Sequence, residues 1–393
     1  MIEIIALLFI LYGILLLIYI SINKKCNYSY PEKKVSSNYA ILIPARNESK
    51  VIENLLISIE KQSFPISSRN VYVIIENPLD PTVDIVNKHG MNIIYRKDLS
   101  KRRKCYALAD AIEEIIKNNK YDAYFIFDAD NILDKDYFKN MNEVVNKGYD
   151  IAEGYRNAKN GNDSIIAACS SLVFSMVNTL GNSIKVKKNK VITISGTGFF
   201  ISGNLVQKWG TYPFHSLTED YELSLYATLH NLKTTYDDKA IFYDEQPETF
   251  KKSIIQRSRW IKGYFEARKK YIPKIRKKAK YNNSDLPIII GVKPYISMVI
   301  GIFIYILYQI SNLFLDFKSA LIKLIIIIFM IYIFLLIFTI ILLIKEKDKL
   351  NLNKEMKIKS IFVNPLFIIS YIICAIRAFL IKDLQWEIIE HGK

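Results

Sequence analysis

Residues 124–131 read Tyr-Phe-Ile-Phe-Asp-Ala-Asp-Asn, an apolar run that ends in two carboxylates. The unbroken apolar character of Tyr124–Phe127 is typical of a strand that is buried on both faces. Asp128 and Asp130 follow it directly, and carboxylates beside buried chain are costly unless their charge is compensated. A divalent cation with oxygen ligands, Mg²⁺ or Mn²⁺, is one compensation. An Asx turn that leaves the strand is the other reading.

The segments before this strand alternate between short apolar runs and amphipathic stretches. Strands are predicted at Tyr39–Ile43, Val71–Ile75 and Asn92–Tyr95, and helices at Glu48–Lys61 and Tyr106–Lys117. Continuous apolar strands that alternate with helices favour a mostly parallel, Rossmann-like sheet in an α/β domain. In such a sheet, ligands bind beyond the carboxyl ends of the strands.

Polar residues follow the predicted strands at these carboxyl ends. The first strand leads into Pro44-Ala45-Arg46-Asn47-Glu48, and the second into Glu76-Asn77. Parallel strands bring these turns to the same edge of the sheet as Asp128 and Asp130. The sequence therefore predicts one polar site at this edge.

The two ends of the chain carry its longest apolar segments. About 20 apolar residues are enough for a helix to cross a bilayer. We predict an N-terminal transmembrane anchor at residues 1–23 and C-terminal transmembrane segments at 297–317, 320–344 and 361–381. The last of these is interrupted by Asn364-Pro365 and Arg377, so the sequence leaves open whether it crosses the membrane or lies in the interface. Residues 287–296 are a second candidate interfacial segment.

The charge of the chain indicates a membrane partner rather than nucleic acid. The net charge is +16, and basic clusters flank the apolar segments at Lys24-Lys25 and Lys345–Lys349. Basic flanks mark the cytoplasmic side of a membrane. Glu3 precedes the first apolar run and the lysines follow it, which favours a retained anchor over a signal peptide. We therefore expect a multi-pass protein of the cell membrane with a cytoplasmic middle domain.

Further along the chain, residues 101–108 (KRRKCYAL), 196–199 (GTGF), 218–222 (TEDYE) and 256–260 (QRSRW) complete an ordered series of motifs. Together with the turns described above, they resemble the family 2 inverting glycosyltransferases of GT-A fold, particularly the membrane synthases of cellulose, hyaluronan and poly-N-acetylglucosamine. The resemblance implies a GT-A domain over residues 39–271. The chain departs from the family pattern at Glu76, where aspartate is usual, and at Lys104, which lacks flanking glycines.

The resemblance also implies roles for individual residues. It makes Asp130, with Asp128, the metal ligand and Asp220 the catalytic base. The nucleotide-sugar site would include Pro44, Arg46, Glu48, Glu76, Lys104, Asp128, Gln256, Arg257 and Arg259, and the acceptor site Gly196, Thr197, Gly198, Glu219 and Trp260.

Elementary chemistry gives these roles a physical meaning. Positive charge from a Mg²⁺ or Mn²⁺ cofactor and from arginines would neutralise a diphosphate leaving group. A single carboxylate base with direct displacement implies inversion at the sugar carbon. Gln256, Arg259 and Trp260 lie at i, i+3 and i+4 and so share one side of a helix. Core packing is the alternative for Trp260, and a plain acidic helix start is the alternative for 218–222.

The resemblance implies a UDP-sugar donor, with N-acetylglucosamine or glucose as the expected sugar, and a saccharide or lipid-linked acceptor. Extension of a polysaccharide is the leading expectation, with an export or accessory partner and membrane lipids as further partners. Transfer of a single sugar to a lipid or cell-wall acceptor is the alternative. A non-catalytic protein that binds nucleotide sugar is a remote third reading.

Overall fold

A computed structural model of the chain describes residues 2–8, 11–12, 38–101, 103–282 and 294–381. It divides the chain into two compact units. One contains residues 27–272 and 342–393, and the other contains residues 1–26 and 273–341.

The larger unit is built on an eight-stranded sheet in the order β3-β2-β1-β4-β7-β6-β8-β5. Its strands are β1 Tyr39–Pro44, β2 Val71–Ile75, β3 Asn92–Tyr95, β4 Ala123–Ile126, β5 Ile132–Leu133, β6 Ile151–Ala158, β7 Phe199–Ser202 and β8 Thr234–Asp244. Strands β1 to β4 pair in parallel, β7 runs antiparallel between β4 and β6, and β8 pairs in parallel with β6. The prediction of a mostly parallel α/β domain is confirmed.

Helices cover the sheet and are followed by a long basic helix. They are α1 Ile52–Glu60, α2 Thr82–Lys88, α3 Lys104–Asn118, α4 Tyr137–Asn146, α5 Ile165–Met176, α6 Ser183–Lys187, α7 Gly203–Trp209, α8 Glu219–His230 and α9 Phe250–Asn282. A π-helical segment, Val177–Asn182, joins α5 to α6. The predicted helices at Glu48–Lys61 and Tyr106–Lys117 correspond to α1 and α3.

Buried apolar residues fill both faces of the sheet. Ile41, Val73 and Phe125 belong to the cluster on one face, and Leu42 and Ile126 to the cluster on the other. Successive residues of a strand point to opposite faces, so a strand that is buried on both sides is usually apolar along its whole length. This is the reason why β1, β2 and β4 were recognisable from their sequence.

The C-terminal helices are α10 Pro294–Asn312, α11 Phe317–Lys345, α12 Lys354–Ile369 and α13 Tyr371–Leu380. Helix α11 carries the predicted segment 320–344, and α10 carries residues 297–312 of the predicted segment 297–317. The segment 361–381 is two helices that meet at Ser370. Most of the predicted anchor at 1–23 and of the segment 287–296 lies outside the described residues, although residues 2–8 are helical.

Among the described residues, three helical stretches are long and apolar enough to cross a membrane. They are Ile165–Lys187, Phe317–Lys345 and Lys354–Leu380. The first is 61% buried within the protein, because α5 packs between β6 and α12. Phe317–Lys345 is only 6% buried and has a mean hydropathy of 3.3, which matches a lipid-exposed helix. Within the smaller unit, Glu3 accepts a hydrogen bond from Gln309 Nε2 at 2.8 Å.

Candidate active site

A cavity of about 430 Å³ opens at one edge of the sheet, where the carboxyl ends of β1, β2, β4, β6 and β8 meet the start of β7. This is the edge at which the sequence predicted a site. Thirteen of the sixteen predicted site residues line the cavity: Pro44, Arg46, Glu48, Glu76, Lys104, Asp128, Asp130, Gly196, Glu219, Asp220, Gln256, Arg259 and Trp260. Thr197, Gly198 and Arg257 do not.

The turns after β1 and β2 form one wall of the cavity. Arg46 Nε and Glu76 Oε2 form an ion pair at 3.1 Å, and both side chains are partly exposed to the cavity. The backbone N–H of Glu48 donates to Thr82 Oγ1 at 3.0 Å, which ties the first turn to the second. Glutamate at position 76 thus has a defined partner, and the pair presents a cation and an anion to a ligand.

Lys104 brings a positive charge to the carboxylates that follow β4. Its ammonium group pairs with Asp128 and donates to the carbonyl oxygen of Gly196 at 2.7 Å. The side chain of Lys104 is 15% exposed and that of Asp128 is 42% exposed, so the pair faces the cavity. Lys104 therefore reaches the anionic part of the site without the flanking glycines that are usual in the family.

Asp130 lies deeper than Asp128 and is 8% exposed. Its Oδ1 accepts a hydrogen bond from Asn131 Nδ2 at 3.0 Å, and its Oδ2 accepts one from the backbone N–H of Glu245 at 3.2 Å. Asp128, Asp130 and Glu245 all line the cavity. These are hard oxygen donors of the kind that Mg²⁺ and Mn²⁺ prefer.

These carboxylates fit a metal that is held partly by the protein. No group of three or more His, Cys, Asp or Glu residues that would enclose an ion by itself occurs in the part of the chain that the structure describes. Mg²⁺ usually keeps several waters and binds through one or two carboxylates together with substrate phosphates. The residues present match that second arrangement.

A buried ion pair supports the floor of the cavity. Arg156 Nε donates to Asp244 Oδ2 at 2.8 Å, and Arg156 Nη1 donates to the carbonyl oxygen of Ser195 at 2.6 Å. Burial raises the pKa of Asp244, and the Arg156 charge opposes that rise. The guanidinium also lies 3.8 Å from the ring centroid of Phe174. The sequence analysis missed this pair, because no motif marks the ends of β6 and β8.

Glu219 and Asp220 begin α8 and face the cavity. Burial raises the pKa of both carboxyls, and the charge of Asp220 raises that of Glu219 further. Asp220 Oδ1 accepts the backbone N–H of Tyr221 at 2.8 Å. Gly196 has φ +92°, and a Cβ at this position would lie 3.3 Å from Asp220 Oδ2. Glycine therefore both permits this turn and leaves room for the carboxylate.

Helix α9 holds the loop that precedes α8. Glu222 is fully buried, and its Oε2 accepts the backbone N–H groups of His215 at 3.0 Å and Ser216 at 2.8 Å. Its Oε1 pairs with Lys270 of α9. A carboxylate that binds two backbone N–H groups and a cation fixes the loop firmly. These contacts support the loop and the first turn of α8, which carry Asp220.

Helix α9 also supplies the opposite wall. Gln256, Arg259 and Trp260 line the cavity together, as their i, i+3, i+4 spacing predicts, and Tyr264 extends this face by one more turn. Burial lowers the pKa of Arg259, and the carboxylates of the site, Glu219 first, oppose this effect. Trp260 packs edge-on against Phe174, with ring centroids 5.7 Å apart. Trp260 therefore combines core packing with a face on the cavity.

The prediction that Arg257 binds the nucleotide sugar does not agree with its position. Arg257 is 2% exposed and lies outside the cavity. Its Nη1 donates to the carbonyl oxygen of Phe367 at 3.1 Å and to Ser370 Oγ at 2.9 Å. The reason is helical geometry: Arg257 is one residue, or about 100°, away from Gln256 around the helix axis. It holds α12 and α13 against α9.

Thr197 and Gly198, predicted to bind the acceptor, have structural positions instead. Thr197 is fully buried, and its Oγ1 accepts the backbone N–H of Asp128 at 2.9 Å and contacts the Asn131 side chain. Gly198 has φ +65° and lies against the ring of Phe242, where a side chain would not fit. These two residues shape the turn that carries Asp128 and do not line the cavity.

Comparison with known proteins agrees with this geometry. Residues 37–263, more than half of the chain, match the family model described as glycosyltransferase like family 2. The chain belongs to glycosyltransferase family 2. The matched segment thus contains all of the predicted motifs and every residue that lines the cavity except Tyr264. It ends at Gly263, which contacts Thr218 just before α8.

Two curated relatives illustrate the similarity in sequence. The chain is 27% identical over 237 residues to a probable glycosyltransferase, YdaM, of Bacillus subtilis, covering 57% of this chain and 54% of the relative. It is 24% identical over 229 residues to the poly-beta-1,6-N-acetyl-D-glucosamine synthase of Staphylococcus epidermidis, covering 58% and 54%. The chain therefore spans about half the length of the curated relatives that it matches.

The mannosyltransferase PcManGT of Pyrobaculum calidifontis, solved with GDP-Man and Mn²⁺, shares the fold. Its TM-score is 0.53 at 13% sequence identity, and the match covers 96% of this chain and 99% of that chain. This likeness confirms the GT-A fold that was predicted for the family 2 domain. The described residues also contain apolar helices of membrane length over the predicted segments 320–344 and 361–380.

Proposed function

We propose that this protein transfers a sugar from a UDP-sugar to a growing polysaccharide, with inversion and with a divalent metal, at the cytoplasmic face of the cell membrane. The observation that carries the proposal is the arrangement of the cavity. Asp220 faces it from the start of α8, Asp128 and Asp130 from the end of β4, and Lys104 bridges the two sides through Asp128 and the Gly196 carbonyl.

The nucleotide and its diphosphate would occupy the side of the cavity formed by the β1, β2 and β4 turns. Arg46 and Glu76 present polar groups for the base and ribose, and Lys104 and Arg259 present cations to the diphosphate. Asp130 and Asp128 would hold a Mg²⁺ or Mn²⁺ ion that neutralises the leaving group. PcManGT was solved in complex with GDP-Man and Mn²⁺, which is consistent with metal use in this fold.

Asp220 would remove the proton from the acceptor hydroxyl as that oxygen attacks the sugar. A base with a raised pKa accepts a proton more readily at the moment of attack, because its proton affinity is closer to that of the acidifying hydroxyl. Glu219 and Trp260 would hold the acceptor beside it. A single displacement of this kind inverts the anomeric carbon. No second carboxylate is needed as a nucleophile.

Transfer of one sugar to a lipid or cell-wall acceptor remains the alternative within the same chemistry. The curated relative that names a product is a polymer synthase, which favours the polymer. The length of the product distinguishes the two, since a processive enzyme gives chains and a single transfer gives one discrete product. N-acetylglucosamine and glucose are the donor sugars that we expect.

The experiment measures nucleoside diphosphate release by the full chain in nanodiscs that contain bacterial lipid. UDP-N-acetylglucosamine, UDP-glucose and GDP-mannose are compared with Mg²⁺, with Mn²⁺ and with a chelator. We expect release with one UDP-sugar, its loss on chelation and its loss in Asp130→Asn. Asp84→Asn, an exposed aspartate in the first turn of α2, is the matched control. No release with any donor would contradict the proposal.

A further inference from the structure

A short segment, residues 193–196, forms part of the cavity wall and borders both Lys104 and Asp220. The carbonyl oxygen of Gly196 accepts a hydrogen bond from Lys104 Nζ at 2.7 Å. A Cβ on Gly196 would lie 3.3 Å from Asp220 Oδ2, so the backbone passes close to that carboxylate. The position of this segment therefore sets the space beside Asp220.

The backbone N–H groups of residues 193–195 all donate to side chains, and each of these side chains belongs to a different element. In chain order, the acceptors are Asn182 Oδ1 at 2.9 Å, Ser224 Oγ at 2.9 Å and Glu153 Oε1 at 2.6 Å. They lie in the π-helical segment, in α8 and in β6, respectively. Side chains from three elements therefore fix the course of the segment.

Glu153 is the carboxylate among these three acceptors. It is 1% exposed and does not line the cavity. Besides the N–H of Ser195, its Oε1 accepts the hydroxyl of Ser195 at 2.7 Å, and its Oε2 accepts Asn182 Nδ2 at 3.0 Å. Burial raises the pKa of Glu153, and the hydrogen bonds from Ser195 and the charge of Arg156 oppose that rise. Three donors therefore converge on one buried carboxylate, which offsets the cost of its burial.

Asn182 has one orientation that fits its neighbours. It is fully buried, its Oδ1 accepts the N–H of Thr193, and its Nδ2 donates to the carbonyl oxygen of Thr193 at 2.8 Å. A flipped amide would place donor against donor and acceptor against acceptor. The Nδ2 group therefore also faces Glu153 as a donor. Position 153 thus needs an acceptor at both oxygens, which a carboxylate provides and a carboxamide does not.

The same segment is joined to the first turn of α8 through one hydroxyl. Ser224 is 5% exposed, and its Oγ accepts the N–H of Ile194 and donates to the carbonyl oxygen of Asp220 at 3.0 Å. Gly196 approaches the side chain of Asp220 at the other end of the segment. A continuous series of contacts therefore runs from Glu153 in β6 to both the backbone and the carboxylate of Asp220.

We propose that Glu153 is a positioning residue for the sugar transfer, an inference that rests on the proposed function. Its carboxylate fixes residues 193–196, and this segment holds Asp220 in place beside Lys104. A displacement of about 1 Å near the reacting groups can lower the rate about 100-fold. The turns after β1 and β2, which face the donor, make no contact with Glu153 in the described hydrogen bonds, so its loss should affect kcat more than the donor KM.

The test compares Glu153→Gln with the unchanged full chain in nanodiscs, with UDP-N-acetylglucosamine and UDP-glucose as donors. Glutamine keeps the size of the side chain but turns its NH₂ group toward a donor, either Asn182 or Ser195. We expect kcat to fall about 10- to 100-fold, with the donor KM unchanged within about twofold. Glu143→Gln, at an exposed position of α4, is the matched control and should keep its kcat. A folded Glu153→Gln with an unchanged kcat would overturn the proposal.

Ser224→Ala tests the connection to Asp220 without a change of charge, and it decides the question if Glu153→Gln does not fold. The variant lacks the hydroxyl between Ile194 and Asp220, so its kcat should fall about tenfold. Because Glu153 and Ser224 act through the same segment, the double variant should lose little more than Glu153→Gln alone. An unchanged kcat in Ser224→Ala, or losses that multiply in the double variant, would refute the proposal.

Amide exchange separates this inference from the proposed function. The N–H groups of residues 193–195 bond to the side chains of Asn182, Ser224 and Glu153, so peptides that contain them should exchange about tenfold faster in Glu153→Gln. If the unchanged chain transfers no sugar, the proposed function fails, and the exchange still shows whether Glu153 holds the segment. Equal exchange in the variant and the unchanged chain would show that it does not.

Discussion

Replacement of Arg257 by lysine tests whether this residue anchors α12 and α13 to α9 or binds the sugar donor. The guanidinium makes two hydrogen bonds to Phe367 and Ser370 and lies 4.0 Å and 4.7 Å from the ring centroids of Phe367 and Tyr371. Lysine keeps the positive charge but lacks the planar guanidinium group, which donates several hydrogen bonds and stacks on aromatic rings. A hydrogen bond from a charged donor contributes about 1.5–3 kcal/mol, and a desolvated cation–π contact adds about 2.

Because lysine retains part of these contacts, we expect Arg257→Lys to weaken the attachment of α13 by about 2–3 kcal/mol. Amide exchange in α13 reports this directly, since local opening governs exchange. The α13 amides should exchange about 30- to 150-fold faster, while β1 and β4 keep their protection. Lys251→Ala, an exposed position on the same helix, is the control. Unchanged amide exchange in α13 together with a raised KM for the donor would show that Arg257 belongs to the nucleotide site instead.

Three further predictions concern the cavity and its walls. Burial raises the pKa of Asp220, and transfer requires its ionised form. The activity should therefore fall as the pH drops through that pKa, which lies above the usual aspartate range, and a pH–rate profile measures this fall. Lys104→Ala should raise the donor KM about tenfold or more, since Asp128 loses its partner. Lys104→Arg keeps the positive charge and should raise the donor KM less. Gly263→Ala should lower the melting temperature, with a destabilisation of about 1–3 kcal/mol, because a Cβ there meets Thr218 Oγ1 at 2.6 Å.

Each of these predictions has a contradicting result. A rate that stays level down to pH 4 would remove Asp220 as the titrating base. An unchanged donor KM in Lys104→Ala would place the diphosphate elsewhere. Gly181→Ala is the control for Gly263→Ala, because a Cβ at Gly181 meets nothing closer than 3.9 Å. Equal melting temperatures for the two glycine variants would show that the α9–Thr218 contact adapts freely.

The sequence predicted β1, β2, β3 and β4, in which almost every strand residue is apolar. Strand β6 was not predicted, because it carries Glu153, Arg156 and Asn157, which are polar yet lie in a buried strand. Burial raises the pKa of Glu153 to about 8, and the hydrogen bonds from Ser195 oppose that rise. The partners that make such polar residues tolerable come from distant segments, and a local pattern contains no sign of them.

The order of the motifs predicted where the site lies. It did not predict the role of every residue within each motif. The turns at Asp128 and Asp220 converge as the resemblance implied, but Arg257 and Gly198 show that adjacent motif residues have different neighbours. Helical periodicity already separates Arg257 from Gln256 and Arg259, by about 100° and about 160° around the axis, so this signal was available in the sequence. The roles of Arg156 and Glu245 required the fold, since only the sheet brings β6 and β8 beside β4.

In the proposed function, Asp220 acts as the base in a sugar transfer. The most direct measurement compares Asp220→Asn with the unchanged chain for both UDP-sugar binding and transfer. Asparagine keeps the size of the side chain but cannot take a proton, and general bases contribute about 10²- to 10⁴-fold. We predict nearly unchanged donor binding and a transfer rate at least about 100-fold lower. If the variant retained more than about a tenth of the rate with donor binding intact, Asp220 would not be the base.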